Sequence, residues 1–274
     1  MKVQIENLIF CYPTGERAID GVSLTISGTE PVAIVGQNGA GKTTLVKHLN
    51  GILSPTSGTV LIDGVDVTTR PTSQWAQVVG YVFQNPDDQL FAHTVADELR
   101  FGPRQIGLEK AEIERRMQEV AEMVGLAGDL QRHPYDLTST EKKFCTIGSV
   151  LMMEPDLVVF DEPTCGQDTA GRKRLDAIVG KLREKGVLCI TISHDMKFVA
   201  QNFGRVIVMN EGRALLDGSA REVFAQPEVL KAAFVSPPPV TRVAQSAGVC
   251  GTPFEVQELI WNINKMKRSQ KSNG

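Results

Sequence analysis

The 274-residue chain has no Cys-x-x-Cys pair; its five cysteines, Cys11, Cys145, Cys165, Cys189 and Cys250, are scattered and odd in number. That distribution argues against a disulfide framework or zinc site and fits a reducing cytoplasm. No apolar run reaches the roughly 18 residues needed to span a bilayer, so any work at a membrane must pass through a partner. The opening stretch MKVQIENLIF has no long apolar core followed by small residues, and no signal peptide is expected. A basic excess is missing as well: 29 Lys and Arg face 32 Asp and Glu, a net charge of −3, which speaks against nucleic acid as a partner. There is no internal repeat. One more absence is local. The stretch LTSTEKKF (137–144), shortly before DLVVFDEP, has surroundings that promise a phosphate-handling helix start, yet it lacks paired glycines.

What is present reads as an α/β fold, with short apolar runs alternating with longer helical patterns around a mostly parallel sheet. VQIENLIFCY, VSLTIS and GTVLIDGVDV are glycine-punctuated and β-rich, which predicts an antiparallel sheet beside the parallel one. PVAIVG, QVVGYVF, DLVVF and VLCITIS read as strands, and KTTLVKHLNGI as the helix leaving the first of these. From about residue 90 to 150 the pattern becomes helical and charged, as in EKAEIERRMQEVAEMVGL. RVIVMNEGRALLDG reads as a hairpin around Glu211 and Gly212. Composition shifts near Val235, which divides residues 1–235 from an extension, 236–274. There SPPPVTRVAQSAG predicts a stiff connection, PFEVQELIWNINKM an amphipathic helix, and KRSQKSNG a frayed, solvated end.

The strongest signal is GQNGAGKTT, which fits G-x-x-x-x-G-K-[ST] through Gly36, Gly41, Lys42 and Thr43. Glycines let the backbone curl so that successive N–H groups point at phosphate oxygens, and the helix that follows aims its positive end at them. Asn38, Gly39, Ala40 and Thr44 belong to the same loop and helix start. Lys42 would place a positive charge on the outer phosphates, and the Thr43 hydroxyl could ligate Mg²⁺. LVVFDEP adds a strand ending in two carboxylates: Asp161 for the Mg²⁺ shell and Glu162 to polarise the attacking water. ATP and Mg²⁺ are therefore the expected ligands.

With these motifs in order, the chain resembles the ATP-binding cassette (ABC) ATPases, and within them the energy-coupling-factor subunits of cobalt and vitamin importers. FQNPDDQLF and the SPPPVTRVAQ tail point to that branch. The resemblance implies an ABC-type nucleotide-binding domain with a mixed core sheet, an antiparallel β subdomain, a helical subdomain and a short C-terminal extension that helps join two ATPases. It implies that Tyr12 stacks on adenine and that Gln84 reaches toward metal and water. By the same match His194 contacts the γ-phosphate, and Asp168 faces a partner subunit. Asp87 and Asp88 would pair with basic residues of a transmembrane coupling subunit, a solvated acidic loop being the alternative.

The family's Leu-Ser-Gly-Gly-Gln helix start, which caps ATP held by the other subunit, corresponds to Leu137, Thr138, Ser139, Thr140 and Glu141. Two Cβ atoms would stand where backbone should meet phosphate, at positions where a threonine scarcely adopts positive φ. Glu141 would add negative charge, which Lys142 and Lys143 could offset. Glu141 could equally close a capping box with Thr138. The expectation is a motor subunit at the cytoplasmic face of the membrane, in an ATP-sandwich dimer with a second, glycine-bearing ATPase and with a substrate-binding membrane subunit. A slow homodimer and a soluble regulator are the alternatives.

Overall fold

The computed structural model describes residues 1–272, with side chains through residue 268. Its strands are β1 (Lys2–Cys11), β2 (Arg17–Ser27), β3 (Val32–Val35), β4 (Ser57–Ile62), β5 (Val65–Asp66), β6 (Val79–Val82), β7 (Leu157–Asp161), β8 (Leu188–Ile192), β9 (Arg205–Asn210) and β10 (Arg213–Ser219). The first five helices are α1 (Lys42–Lys47), α2 (Thr72–Trp75), α3 (Val95–Gln105), α4 (Lys110–Val124) and α5 (Ser139–Leu151). They are followed by α6 (Thr169–Glu184), α7 (Met196–Asn202), α8 (Ala220–Phe224), α9 (Pro227–Ala232), α10 (Pro239–Ser246) and α11 (Val256–Ser272).

Two sheets result. β2-β1-β4-β5 is antiparallel, and β10-β9-β3-β8-β7-β6 is parallel except for the β9–β10 hairpin, which turns at Glu211 and Gly212. Strands β3, β6, β7 and β8 are buried at every position and almost wholly apolar, because both faces of their sheet are covered. Their alternation shows which face each residue serves. Val32 and Ile34 of β3, with Leu157 and Val159 of β7, point into one core against the antiparallel sheet. Ala33 and Val35, with Val158 and Phe160, point into the other, beneath the helices. Helices α3, α4 and α5 pack on one another and α5 reaches β6, so this layer leans on one edge of the large sheet.

The extension differs from the sequence expectation. Residues 239–246 form α10 rather than a stiff connection, with Pro238 at its N-cap and Pro239 in its first turn. Proline at N1 lacks only an N–H that a helix leaves unpaired, and its fixed φ suits the helix. The amphipathic helix is present as α11 and continues to Ser272. The expected frayed end is therefore helical where described, and residues 273–274 lie outside the described residues. No helix among the described residues is long and apolar enough to cross a membrane.

Candidate active site

In an open α/β sheet, ligands bind beyond the carboxyl ends of the parallel strands. Here β3, β8, β7 and β6 are consecutive neighbours, with Ile34 and Asp161 both level with Ile192. Residues just past those ends converge although they lie far apart in sequence: the 36–41 loop after β3, Gln84 after β6, Asp161 and Glu162 at β7, and His194 after β8. They line one cleft of about 830 Å³, the loop through Asn38 to Gly41, together with Tyr12 and Thr43.

The loop's two flanking glycines are required by contact as well as by conformation. Gly36 has φ 153° and a Cβ there would stand 2.2 Å from the Met209 carbonyl oxygen. Gly41 has φ 93° and a Cβ would meet the Ala18 carbonyl oxygen at 2.4 Å. Lys42 is buried, and its ammonium folds back to donate to the carbonyls of Gly36 (2.9 Å) and Gln37 (2.8 Å). Burial lowers its pKa, opposed by the nearby charges of Glu162 and Asp161. The Thr43 hydroxyl donates to Asp161 Oδ1 at 3.3 Å. The hydroxyls of Tyr12 and Thr44 share a 2.9 Å hydrogen bond, and the Tyr12 ring stands edge-on to Phe10.

Glu162 is an unusual residue. It is buried, and its φ of 48° places a non-glycine residue in the left-handed region. Its N–H is fixed on the Ile192 carbonyl at 2.9 Å, and its Oε2 accepts from the His194 backbone N–H at 3.2 Å. Left-handed backbone at a non-glycine residue costs on the order of 1–3 kcal/mol and tends to occur at functional sites. Burial pushes the Glu162 carboxyl up to about 7, against the pull of the His194 N–H and Lys42. His194 Nε2 lies 3.3 Å from Glu162 Oε1 and is hydrogen-bonded to Asn38 Oδ1 at 3.1 Å. Burial, with Lys42 nearby, lowers the histidine's pKa, which disfavours an ion pair across this contact.

Two residues adjoin this site in roles that the sequence did not show: Tyr81, which it did not flag, and Lys143, which it read only as an offset for Glu141. The Tyr81 hydroxyl donates to Asp161 Oδ2 at 2.8 Å, and burial beside that carboxylate raises the phenol's pKa. Only the parallel register, Tyr81 beside Val159, reveals it. The second is Lys143, whose ammonium donates to the main-chain carbonyls of Phe83 (2.9 Å) and Gln84.

The helix start at 137–141 is resolved in favour of the capping box. The Glu141 N–H donates to Thr138 Oγ1 at 3.3 Å, and Glu141 Oε2 accepts from the Thr138 N–H at 2.8 Å. Thr138 is the N-cap of α5, and neither Ser139 nor Thr140 has positive φ. The expectation that these positions demand a left-handed backbone is thus corrected: they form an ordinary first helical turn. Lys142 and Lys143 do not offset Glu141 either, since Lys142 pairs with Asp87 at 2.8 Å and Lys143 is buried on its carbonyls. Asp88 accepts from the Asn85 side chain at 3.0 Å. Asp168 caps α6, its Oδ1 accepting from the Gly171 N–H at 2.7 Å.

Residues 19–165 match the family model described as ABC transporter. The energy-coupling factor transporter ATP-binding protein EcfA of Methanothermobacter thermautotrophicus is 37% identical over 257 residues, 93% of this chain and 83% of the relative. EcfA2 of Clostridium perfringens is 37% identical over 278 residues, 98% of this chain and 97% of the relative. Among solved structures, cbiO1 of Clostridium perfringens, described as part of the ABC transporter complex cbiONQ, superposes with a TM-score of 0.75 at 33% identity. That match covers 84% of this chain and 93% of cbiO1. The chain belongs to the ABC transporter ATPases, in the energy-coupling-factor branch.

Proposed function

We propose that this chain is the ATP-hydrolysing motor subunit, on the cytoplasmic face of the membrane, of an energy-coupling-factor importer for a vitamin or a cobalt or nickel ion. The observation that carries this is the arrival of Lys42, Asp161, Glu162 and His194 in one cleft, in a chain that matches EcfA proteins over most of its length. Tyr12 offers its ring to adenine, and residues 36–44 surround the phosphates. The donor set suits a hard divalent cation: Thr43 Oγ1 and Asp161 Oδ1 are close enough to share one ion, with Gln84 in the same cleft. When bound with nucleotide, Mg²⁺ supplies charge neutralisation at the outer phosphates. Among the described residues no three His, Cys, Asp or Glu side chains form a metal cage, which suits an ion that takes the rest of its shell from phosphates and water. Glu162 accepts the attacking water's proton, and His194, held on Asn38, stands beside it for the γ-phosphate.

The dimer we propose is a head-to-tail ATP sandwich with a second ATPase. In support, the Glu141 carboxylate already occupies the amino end of α5, and Ser139 and Thr140 bring Cβ atoms to the same turn. A helix start that satisfies its own donors offers a partner's nucleotide little. Residues 236–274 are proposed to join the two ATPases, through a segment that exposes Val256, Ile260 and Trp261. Asp87 and Asp88 are proposed to meet the coupling subunit, with Asp87 exchanging Lys142 for a basic partner. Another membrane subunit recognises the cargo. ATPase rates of the chain alone, and mixed with the second ATPase co-purified in mild detergent, test this. The mixture should exceed the chain alone about tenfold or more, the scale of one misplaced catalytic contact. Full activity from this chain alone would overturn the pairing, and no turnover in either sample would overturn the motor assignment.

A further inference from the structure

Lys143, in the second turn of α5, is 2% exposed. Its neighbours Phe144, Cys145 and Ile147 fill the same interior with apolar groups, so packing alone would be served by another apolar side chain. An ammonium removed from water is costly to retain, and its donors need partners. The partners here are two consecutive main-chain carbonyls, of Phe83 and Gln84, and neither is an acid. Those carbonyls belong to the segment that brings Gln84 into the cleft with Thr43 and Asp161. The preceding residue grips the same segment from outside: Lys142 pairs with Asp87 at 2.8 Å and lies over the Tyr135 ring. Asp87 is about half exposed, so that outer pair is open to screening by salt, whereas the Lys143 ammonium is shielded from solvent.

We propose that Lys143 is a positioning residue that ties the main chain at Gln84 to helix α5. The glutamine serving this chain's own nucleotide and the helix start directed at the second nucleotide are then one mechanical body. The second half of that statement rests on the two-site reading above; the tie itself does not.

Lys143→Met keeps the side chain's length and apolar stem and deletes the donors. In the nucleotide-free full chain, amide hydrogen exchange across residues 83–90 should accelerate about tenfold, the scale of one net hydrogen bond, while residues 36–44 keep their wild-type rates. In the ATPase assay, with the second ATPase present, kcat should fall about tenfold and KM for ATP stay within about twofold, as expected when positioning rather than ground-state binding is lost. Lys143→Arg, which restores a cation and its donors, should recover most of kcat. Unchanged exchange across 83–90 in Lys143→Met would overturn the proposal. So would faster exchange spread through α5 and β6 with kcat and KM altered together, which is the signature of simple packing loss. If the methionine variant is not recovered folded, Lys143→Gln, too short to reach both carbonyls, is judged by the same outcomes. A wild-type complex without ATPase activity would refute the motor function, and the exchange measurement would still decide the tie.

Discussion

Replacing Glu162 by glutamine should flatten part of the pH dependence of folding stability in the nucleotide-free chain. The carboxyl is pushed up to about 7 in the fold, from an ordinary value of 4.5, chiefly by burial. Below pH 4.5 the group is neutral in both folded and unfolded chains and has no effect. Between the two values the unfolded chain ionises while the fold resists, so stability falls as pH rises. Above about pH 7 both forms are ionised, and the loss levels off near 3 kcal/mol, from 1.36 kcal/mol for each tenfold change in acidity constant. Glutamine keeps the acceptor for the His194 N–H and never ionises. Between pH 5.5 and 8 the variant should therefore gain about 2 kcal/mol on the wild type, which for a chain of this size is roughly 4–8 °C in Tm. Melting curves in EDTA across that range, read by circular dichroism, give the difference directly, because every other titrating group is common to both proteins. Parallel Tm profiles would show that Glu162 titrates as an ordinary carboxylate and that its burial does not shape its chemistry.

Three further outcomes are expected. Glu162→Gln should also trap ATP in a closed dimer, seen as nucleotide retained through gel filtration without phosphate release. Tyr81→Phe should remove the phenol donor from Asp161 and weaken metal-dependent nucleotide binding by about tenfold, as for loss of a hydrogen bond to a charged group, measured by titration with and without Mg²⁺. Deleting residues from Ser236 onward should loosen the dimer, and an unaltered elution volume on sizing would refute that role.

Much of the site was legible because its signals are local. The 36–44 loop, the Asp161–Glu162 pair and the strands before them follow from short runs whose chemistry and burial are fixed by near neighbours. Tyr81 and Lys143 were not legible, since their partners are set by sheet register and by how α5 leans on the large sheet, neither of which a linear pattern encodes. Glu141 was ambiguous for a different reason: the spacing that caps a helix also places a charge where phosphate would sit, and only the closed hydrogen bonds decide. At 139–140 the missing glycines suggested a conformational obstacle, but the first turn is ordinary helix, so what the substitution alters is how closely backbone can approach. The 239–246 helix was missed because a proline cluster reads equally as a spacer and as a helix opening.

The order of strands has one more effect. β3, which leads into the 36–41 loop, is hydrogen-bonded on both flanks, whereas β6, which leads to Gln84, is the outermost strand and among the described residues pairs with β7 alone. Backbone with a single neighbour yields more easily than backbone with two. The cleft therefore has a stiff wall at the sheet's middle and a compliant one at its margin. A load applied through the helical layer would deflect the side that carries Gln84 while the 36–41 loop stays in place.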